Sequence, residues 1–340
     1  MSVMNDSADF NGSPIKGGKR MRARIAGTGS SLPDLRITNE DLGKIMDTSD
    51  EWIRSRTGIG ARHIAVEETT TDMSVAAAKQ ALEQAGMEAE ELDLIIAATL
   101  SADRILPPLS CEIQSALGAV HAAAYDLCAA CSGFVFALNT AQAYIQSGTY
   151  RNILIVGAET LSKLMDWSDR STCVLFGDGA GAAVITADTD GFFAGVQGSD
   201  GSKGMVLSCG GRPVQHPFAS QEQVDPYVRM NGQEVYKFAV RTVPASICQV
   251  LEQAELDPQE ISLFLLHQAN LRIIEAVAKR LKQPMEKFPV CLEECGNISA
   301  ASVPILLDQV NRQGRLKRGD KIVLAGFGAG LTWGAIALSW

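Results

Sequence analysis

The chain has 340 residues, of which 46% are hydrophobic and 20% are charged. This composition supplies enough apolar side chain for one large domain or two mid-sized domains, and it excludes a disordered or disulfide-stapled protein. The 30 Lys and Arg against 39 Asp and Glu leave a formal net charge of −9, which excludes general electrostatic binding to nucleic acid or anionic membranes. An acidic partner would therefore need a local basic patch.

Targeting and membrane signals are missing from the sequence pattern. Residues 1–20 are polar, rich in Gly and Ser, and end in Lys19-Arg20, so they predict a disordered N-terminal extension. Every apolar run is shorter than the roughly 20 residues that a membrane helix needs. The eight cysteines are irregularly spaced and several lie in apolar runs, as is typical of reduced thiols. We therefore expect a cytoplasmic protein that does not enter a membrane.

Short segments rich in Val, Ile and Leu alternate with longer Ala-rich segments, a pattern typical of α/β proteins with buried sheets. Gly86 ends the first clear helix. The elements predicted in the first half are, in chain order, a helix over 70–85, a strand over 92–100, an irregular segment with Pro107-Pro108, a strand over 124–127, a helix over 132–147 and a strand over 152–157.

The second half of the chain repeats this order. Matching strands open at Leu94 and Leu263, and the later strands of the two halves keep the same spacing. Cys131 and Asn297 open matching helices at nearly that spacing. A repeat that is half the chain long indicates a domain duplication, because solenoid repeats are roughly 20 to 50 residues long. We therefore predict two α/β halves whose loops meet at a shared site, namely residues 21–190 and 191–340.

Cys131 lies at the junction between the strand over 124–127 and the apolar helix that follows it. A thiol at a helix N-terminus meets the positive end of the helix dipole, which favours the thiolate and nucleophilic attack. A buried structural cysteine would fit the same position. Cys128 and Cys131 also form a CxxC pair, but its Ala-rich surroundings differ from those of a zinc knuckle or a redox centre. We therefore expect no metal there.

Other polar residues lie at the ends of predicted elements. His267 directly follows the apolar strand over 261–266, and α/β folds place ligands and chemistry at such strand ends. Asn297 opens a helix, where Asn alone is normally an N-cap. Its match to Cys131 in the duplicated pattern predicts that these three side chains meet. The glycines of residues 325–330 would let the backbone approach a ligand and offer amides for an oxyanion hole.

These segments together resemble the β-ketoacyl-acyl-carrier-protein synthase III family, the initiating condensing enzymes of type II fatty-acid synthesis in the thiolase superfamily. The resemblance extends from Arg24 to Trp340. It rests on Gly27-Thr-Gly-Ser-Ser-Leu-Pro33, Thr48-Ser-Asp-Glu-Trp-Ile53, Arg56-Thr-Gly-Ile59, Cys131, Phe176-Gly-Asp-Gly-Ala-Gly-Ala182, His267-Gln-Ala-Asn270, Gly296-Asn297 and the final Gly-rich loop. It implies an α/β thiolase-like fold in which the duplicated halves form α-β-α-β-α layers.

The resemblance also implies a Cys-His-Asn triad of Cys131, His267 and Asn297. Cys131 would attack an acyl-CoA thioester, and the backbone amides of Cys131 and Ala329 would hold the oxyanion. His267 and Asn297 would then hydrogen-bond malonyl-acyl carrier protein, so that loss of CO₂ gives an enolate that attacks the acyl group. The implied enzyme is a cytoplasmic homodimer that needs no cofactor, since acyl-CoA is a substrate.

Two binding surfaces follow from the same resemblance. Trp52 and Arg170 would stack on the CoA adenine, with Arg56 close by at the CoA entrance. Residues 270–287 hold five cations and two acids, a local net charge of +3 that suits an acidic acyl carrier protein. The expected contacts with the carrier protein are Gln268, Ala269, Asn270, Leu271, Arg272, Lys237 and Lys279.

Leu106 departs from the family pattern. A well-studied subgroup has Phe at this acyl-pocket position, contributed across the dimer interface, so a smaller Leu would admit primers longer or more branched than acetyl. Two alternatives stay open. One is a related acyltransferase or a starter-unit condensing enzyme of secondary metabolism, of polyketide or quinolone type. The other is a non-catalytic module that binds acyl-CoA or a metal through the CxxC pair.

Overall fold

The computed structural model describes residues 21–214, 216–218 and 224–340. The extension predicted for residues 1–20 lies outside them. The strands are β1 (Arg22–Ser31), β2 (Arg36–Thr38), β3 (Ala61–His63), β4 (Leu94–Ala98), β5 (Ala123–Leu127), β6 (Asn152–Thr160), β7 (Asp178–Asp188), β8 (Phe193–Ser199), β9 (Leu207–Cys209), β10 (Val228–Met230), β11 (Leu263–Leu266), β12 (Lys321–Gly328) and β13 (Thr332–Ser339).

The α-helices are α1 (Asn39–Gly43), α2 (Asp50–Thr57), α3 (Thr70–Ala85), α4 (Leu109–Leu117), α5 (Gly133–Ser147), α6 (Gly232–Gln253), α7 (Leu271–Leu281), α8 (Leu292–Cys295) and α9 (Ser302–Arg312). None of these helices is long and apolar enough to cross a membrane. The first predicted helix, α3, has the expected bounds. Thr69 caps it by accepting the N–H of Asp72, and Gly86 ends it at a φ of 62°.

The two main sheets have the same strand order. The first sheet runs β1-β7-β6-β4-β5, and the second runs β8-β13-β12-β11, which lacks only a counterpart of β5. Corresponding pairs run alike in the two sheets: β4 is parallel to β6 as β11 is to β12, and the next pair, β6 with β7 or β12 with β13, is antiparallel. The connection from β7 to β8 contains the boundary predicted between residues 190 and 191.

The sheets and helices stack in five layers. Alternate residues of β4 point to opposite faces, so Leu94 and Ile96 pack towards the second sheet while Ile95 and Ala97 pack towards α3 and α4. Helices α5 and α9 lie between the sheets, and α6 and α7 cover the outer face of the second sheet. This arrangement confirms the layered α-β-α-β-α fold expected from the sequence.

Each half places a short 3₁₀ turn before its central helix. The first turn (Ala130–Ser132) leads into α5, and the second turn (Ser299–Ala301) leads into α9. Both begin with a non-glycine residue in the left-handed region, at φ values of 46° and 42°. Such a residue costs about 1–3 kcal/mol and persists only where its surroundings hold it. The two halves therefore share a locally strained feature as well as a topology.

The second turn corrects one expectation from the sequence. Cys131 is the middle residue of the first turn, and its counterpart at the spacing of the matching strands is Ala300, the middle residue of the second turn. Pairing Cys131 with Asn297 was therefore wrong. Asn297 lies ahead of the turn in a backbone bridge to Phe176, and its side-chain oxygen accepts the N–H of Ser299 at 2.9 Å.

The turns pack against glycines of the opposite half. Gly157 in β6 faces the second turn, and Gly326, at the matching position of β12, faces the first turn. A Cβ on Gly157 would lie 2.4 Å from the backbone oxygen of Ala300, and a Cβ on Gly326 would lie 2.9 Å from Cα of Ser132. Because backbone atoms cannot move aside singly, only glycine allows this approach.

We predict that Gly157→Ala lowers the free energy of unfolding by about 1–3 kcal/mol, because the added methyl group overpacks the seam between the halves. A thermal or urea unfolding curve measures this loss. Gly201→Ala is the matched control, since a Cβ there meets no atom within 4 Å. Equal unfolding midpoints for the two variants would contradict the proposed close packing.

Candidate active site

Cys131, His267 and Asn297 line one cavity of about 110 Å³ between the two halves. Cys131 comes from the first turn, His267 follows β11, and Asn297 precedes the second turn. Because these three segments are far apart in the sequence, only the duplicated fold brings them together. A nucleophile and two hydrogen-bonding groups therefore face the same small space.

Cys131 is 7% exposed and lies in the 3₁₀ turn two residues before α5. Burial raises the pKa of its thiol to about 12, while the nearby Ser299 hydroxyl lowers it in part. The sequence suggested a thiolate stabilised by the helix N-terminus. In the structure, burial opposes that effect, because a charge inside an apolar site loses its hydration. Cys131 is therefore a protonated thiol at neutral pH, and it must lose a proton before it attacks.

His267 is 1% exposed, and its ring packs edge-on against Phe327 with the centroids 5.2 Å apart. Its backbone N–H donates to the carbonyl of Ala325 at 2.8 Å, which ties the residue to β12. Nδ1 has no hydrogen-bond partner among the described residues. Burial lowers the pKa of the imidazole to about 3. His267 is therefore neutral at physiological pH and serves as a hydrogen-bonding group instead of a cation.

Asn297 is 6% exposed and is held by its backbone as well as by its side chain. Its N–H donates to Leu175 at 2.9 Å, and its carbonyl accepts from Gly177 at 3.0 Å. Because the side-chain oxygen is taken by Ser299, the NH₂ group on the other side of the planar amide remains as a donor. The site thus offers an oriented amide donor near the thiol.

The Gly-rich end of β12 lies directly against the nucleophile. A Cβ on Gly328 would lie 2.8 Å from Cβ and 3.1 Å from Sγ of Cys131. Ala329 follows in the loop and lines a second, larger cavity of about 500 Å³ that also reaches Cys131. The side chains that line this larger cavity are mostly apolar, including Leu100, Leu161, Leu164, Phe176 and Leu207.

Two residues near Cys131 were not recognised in the sequence. Glu159 is fully buried at the end of β6, and Ser299 is 2% exposed in the second turn. Burial raises the pKa of Glu159 to about 7. A lone acidic residue directly after the apolar run of residues 153–158 was the available signal, because buried carboxyl groups rarely occur without a partner or a role.

The three residues expected to bind CoA lie together on the surface. The guanidinium carbons of Arg56 and Arg170 lie 4.7 Å and 5.1 Å from the ring centroid of Trp52. Arg170 also donates to the backbone oxygen and to the carboxylate of Asp47. An aromatic ring inserted between Trp52 and Arg170 needs about 7 Å, two van der Waals layers. The Arg170 side chain must therefore move outward by about 2 Å before a ring can enter.

The expected carrier-protein contacts divide into exposed and buried residues. Arg272, Lys279 and Lys237 are exposed, and the Arg272 guanidinium donates to the carbonyl of Ser55 at 2.6 Å. Lys237 also shares a surface cavity of about 230 Å³ with Lys203 and Arg241. Ala269, Asn270 and Leu271 are partly buried where α7 begins. They lie beside the triad cavity and α2, since Asn270 donates to the carbonyl of Arg56 at 3.0 Å.

Gln268 was placed wrongly on that surface. Its side chain is 0% exposed. It donates to the carbonyl of Leu266 at 2.8 Å and accepts the N–H of Cys291 at 3.0 Å. Gln268 therefore braces the strand that carries His267 against α8, and it cannot contact a partner.

Leu106 and the CxxC pair lie apart from the expected sites. Leu106 is 79% exposed in the segment between β4 and α4 and lines neither cavity of its own chain. Cys128 is exposed whereas Cys131 is buried, and both are free thiols. Over residues 21–214, 216–218 and 224–340, no three His, Cys, Asp or Glu side chains are grouped so that they could hold a metal ion.

The sequence matches one family in two segments. The profile described as 3-oxoacyl-[acyl-carrier-protein (ACP)] synthase III matches residues 125–201, and its C-terminal counterpart matches residues 251–340. A curated β-ketoacyl-[acyl-carrier-protein] synthase III from Clostridium acetobutylicum is 48% identical over 318 residues, which cover 93% of this chain and 98% of the relative.

Solved structures agree with these matches. The 3-oxoacyl-[acyl-carrier-protein] synthase III from Aquifex aeolicus is 47% identical with a TM-score of 0.88, and the match covers 94% of this chain and 100% of that structure. The priming β-ketosynthase of the R1128 polyketide pathway is 37% identical with a TM-score of 0.88, covering 96% of this chain and 98% of that structure.

We predict that Gly328→Ala slows alkylation of Cys131 by iodoacetamide by about tenfold or more, because the new methyl group would occupy space beside the sulfur. Mass spectrometry of the Cys131 peptide measures the rate. Gly232→Ala is the matched control in the same cavity, where the nearest atom to a Cβ lies 3.7 Å away. A Gly328→Ala chain that reacts as fast as the control would contradict this prediction.

Proposed function

Since this chain belongs to the 3-oxoacyl-[acyl-carrier-protein] synthase III family, we propose that it joins a short acyl-CoA primer to malonyl-acyl carrier protein by decarboxylative condensation. This reaction gives a 3-oxoacyl-acyl carrier protein and initiates fatty-acid synthesis. The chain is accordingly an acyltransferase of the condensing type. The observation that carries the proposal is the meeting of Cys131, His267 and Asn297 in one cavity.

In the first half of the reaction, Cys131 would accept the acyl group. Its sulfur attacks the thioester carbon of acyl-CoA, and the backbone amides of Cys131 and Ala329 hydrogen-bond the oxyanion that forms. CoA then leaves. The apolar cavity of about 500 Å³ beside Cys131 would hold the acyl chain out of water, which protects the acyl-enzyme from hydrolysis.

In the second half, His267 and Asn297 would hold the thioester oxygen of the malonyl group. Both are uncharged donors in a buried site, so each hydrogen bond strengthens as negative charge develops on the oxygen during loss of CO₂. The enolate carbon then attacks the acyl group on Cys131, and the sulfur leaves. None of these steps transfers an electron, and the hydrogen-bond donors stabilise the oxyanions, so the proposed reaction needs no metal or redox cofactor.

Trp52, Arg56 and Arg170 form the proposed CoA-binding cluster. An adenine would stack on Trp52, with the planar Arg170 guanidinium on its other face and Arg56 near the phosphates. The present contact of Arg170 with Trp52 would open on binding. The free energy lost when one surface arginine becomes ordered is small compared with the free energy gained by stacking an aromatic ring.

The proposed docking surface for the carrier protein is the basic patch formed by Arg272, Lys279 and Lys237. Asn270 and Ile273, the neighbours of Arg272 at the start of α7, line the cavity that holds His267, which is where a malonyl group must arrive. Lys203 and Arg241 extend the patch. Because the chain as a whole carries a net charge of −9, this local positive surface would orient an acidic partner and speed its association.

A homodimer fits the exposed edge of the first sheet. β5 is the edge strand, and its unpaired backbone groups would pair with a second copy. Ile105 and Leu106 are apolar yet 75% and 79% exposed, and a partner subunit would bury these side chains. Leu106 would then help to shape the acyl pocket of the partner.

Similarity to the R1128 priming synthase supports a second candidate, the priming of a polyketide pathway. The chemistry at Cys131 would be unchanged in that case. Only the primer and the fate of the product differ, and both depend on the acyl pocket and on the pathway that supplies the carrier protein.

We predict that Cys131→Ala takes up no label from radioactive acetyl-CoA. His267→Ala should still be acylated, but its release of CO₂ from malonyl-acyl carrier protein should fall by about 10²–10³-fold, because one oxyanion donor is lost. His121→Ala, which alters an exposed histidine, is the control and should retain both activities. Condensation at the unmodified rate by either triad variant would refute the assigned roles.

We further predict that reversing the charges of Arg272 and Lys279 to Glu raises KM for malonyl-acyl carrier protein about tenfold and leaves KM for acyl-CoA within twofold. Initial rates at low and high salt measure the effect, which should shrink as salt screens the patch. Lys317→Glu, an exposed change between α9 and β12, serves as the control. Equal increases in both KM values would argue against a docking surface.

A further inference from the structure

Glu159 is a fully buried carboxyl group that the mechanism above does not use. Its Oε2 accepts the N–H of Leu100 at 3.1 Å and the hydroxyl of Ser101, so the segment after β4 fixes one oxygen. Its Oε1 is buried without a hydrogen-bond partner among the described residues. A buried carboxylate with one unpaired oxygen is costly, so a position that retains it needs a reason.

Ser299 lies between this carboxyl group and the nucleophile. Its hydroxyl is close enough to Cys131 and to Glu159 to lower the pKa of both groups, and the N–H of Ala300 also faces the carboxyl group. Among the described residues, the buried hydroxyl makes no hydrogen bond that satisfies both distance and angle. Its proton is therefore not committed to another described group. Ser299 also lines the larger cavity that contains Cys131.

The duplicated fold explains why Glu159 reaches this place. Glu159 near the end of β6 and Gly328 at the end of β12 occupy matching positions in the two halves. Gly328 touches the first turn at Cys131, and Glu159 correspondingly meets the second turn at Ser299 and Ala300. The two turns pack together at the centre of the molecule. Ser299 on the second turn is therefore close both to Cys131 on the first turn and to Glu159 in β6.

The nucleophile needs a proton acceptor that His267 does not supply. Cys131 is a thiol whose pKa burial raises to about 12, and burial lowers the pKa of His267 to about 3. A carboxyl group whose pKa is about 7 is better matched to accept a proton at neutral pH. The titratable groups that face Glu159 are Cys131 and Lys163, and Lys163 is in turn close to Asp103 and Asp178.

We propose that Glu159 is a positioning residue that acts through Ser299, accepting the proton that Cys131 loses when its sulfur is acylated. The S–H bond of Cys131 breaks as Ser299 Oγ takes that proton and passes its own to Glu159 Oε1. The sulfur electron pair forms the bond to the acyl carbon, and the bond to CoA breaks with its pair on the CoA sulfur. The proton then returns through Ser299 to give CoA-SH and the carboxylate.

The test is single-turnover transfer of radioactive acetyl from acetyl-CoA to the full chain, measured from about pH 5.5 to 9.5. The wild-type rate should rise as the carboxyl group ionises near pH 7 and then level off. Glu159→Gln should be about 10²-fold slower at neutral pH, where the acceptor is lost. Its rate should show no inflection near pH 7 and should keep rising, because hydroxide must remove the thiol proton.

Four further variants separate this role from a structural one. Ser299→Ala, a small change, should reproduce the Glu159→Gln profile, and the double variant should be no slower than either single variant. Glu159→Asp keeps a carboxyl group and should keep an inflection. Asp308→Asn, a second fully buried carboxyl group that is bonded to Thr28 and Ser30, should retain the wild-type profile.

A loss that is the same factor at every pH, or a Ser299→Ala profile equal to wild type, would overturn the proposal. The proposal rests on the proposed function only in naming acetyl-CoA as the acyl donor. Alkylation of Cys131 by iodoacetamide across the same pH range reads the same proton loss without any thioester. A wild-type chain that took up no acetyl group would overturn the proposed function, while the alkylation profiles would still decide the role of Glu159.

Discussion

The two 3₁₀ turns pack closely at the centre of the molecule, and this contact sets how the two halves fit together. Each turn lies against a strand of the opposite half, and a glycine leaves room for it, Gly157 for the second turn and Gly326 for the first. Gly133, at the start of α5, is similarly close to Ala300. Larger residues at these positions would separate the halves, and the cavity between them would lose its shape.

Burial at this seam sets the chemistry of the site. The same desolvation that keeps Cys131 protonated also keeps His267 neutral and raises the pKa of Glu159 towards neutrality. A dry site strengthens hydrogen bonds to a developing oxyanion, which favours both halves of the proposed reaction. It also removes water as a proton acceptor for the thiol. In the proposed mechanism, the buried carboxyl group of Glu159 takes the place of water as the proton acceptor, and the Ser299 hydroxyl links it to the thiol.

The family, the layered fold and the condensing activity could be read from the sequence, and the structure and relatives confirm them. Two details predicted from the sequence were wrong. The sequence predicts that Asn297 opens the helix α9 and so matches Cys131. The structure shows a backbone bridge at Asn297 and a 3₁₀ turn after it, and composition alone does not distinguish these from the first turn of a helix. Gln268 was assigned to a surface because it neighbours exposed residues, whereas its amide fits two backbone groups inside the fold.

The linear chain already shows which residues could react and that two related halves are present. Hydrophobic periodicity, the constant spacing between matching strands and the positions of Cys131 and His267 after strands are properties of the linear chain, so they are visible without a fold. The protonation of these groups and the partner of each depend on the folded arrangement. A pKa depends on how much water a group loses and on what lies within a few ångströms of it. For Glu159, Ser299 and Cys131, those neighbours come from three separate segments that meet only when the halves pack together.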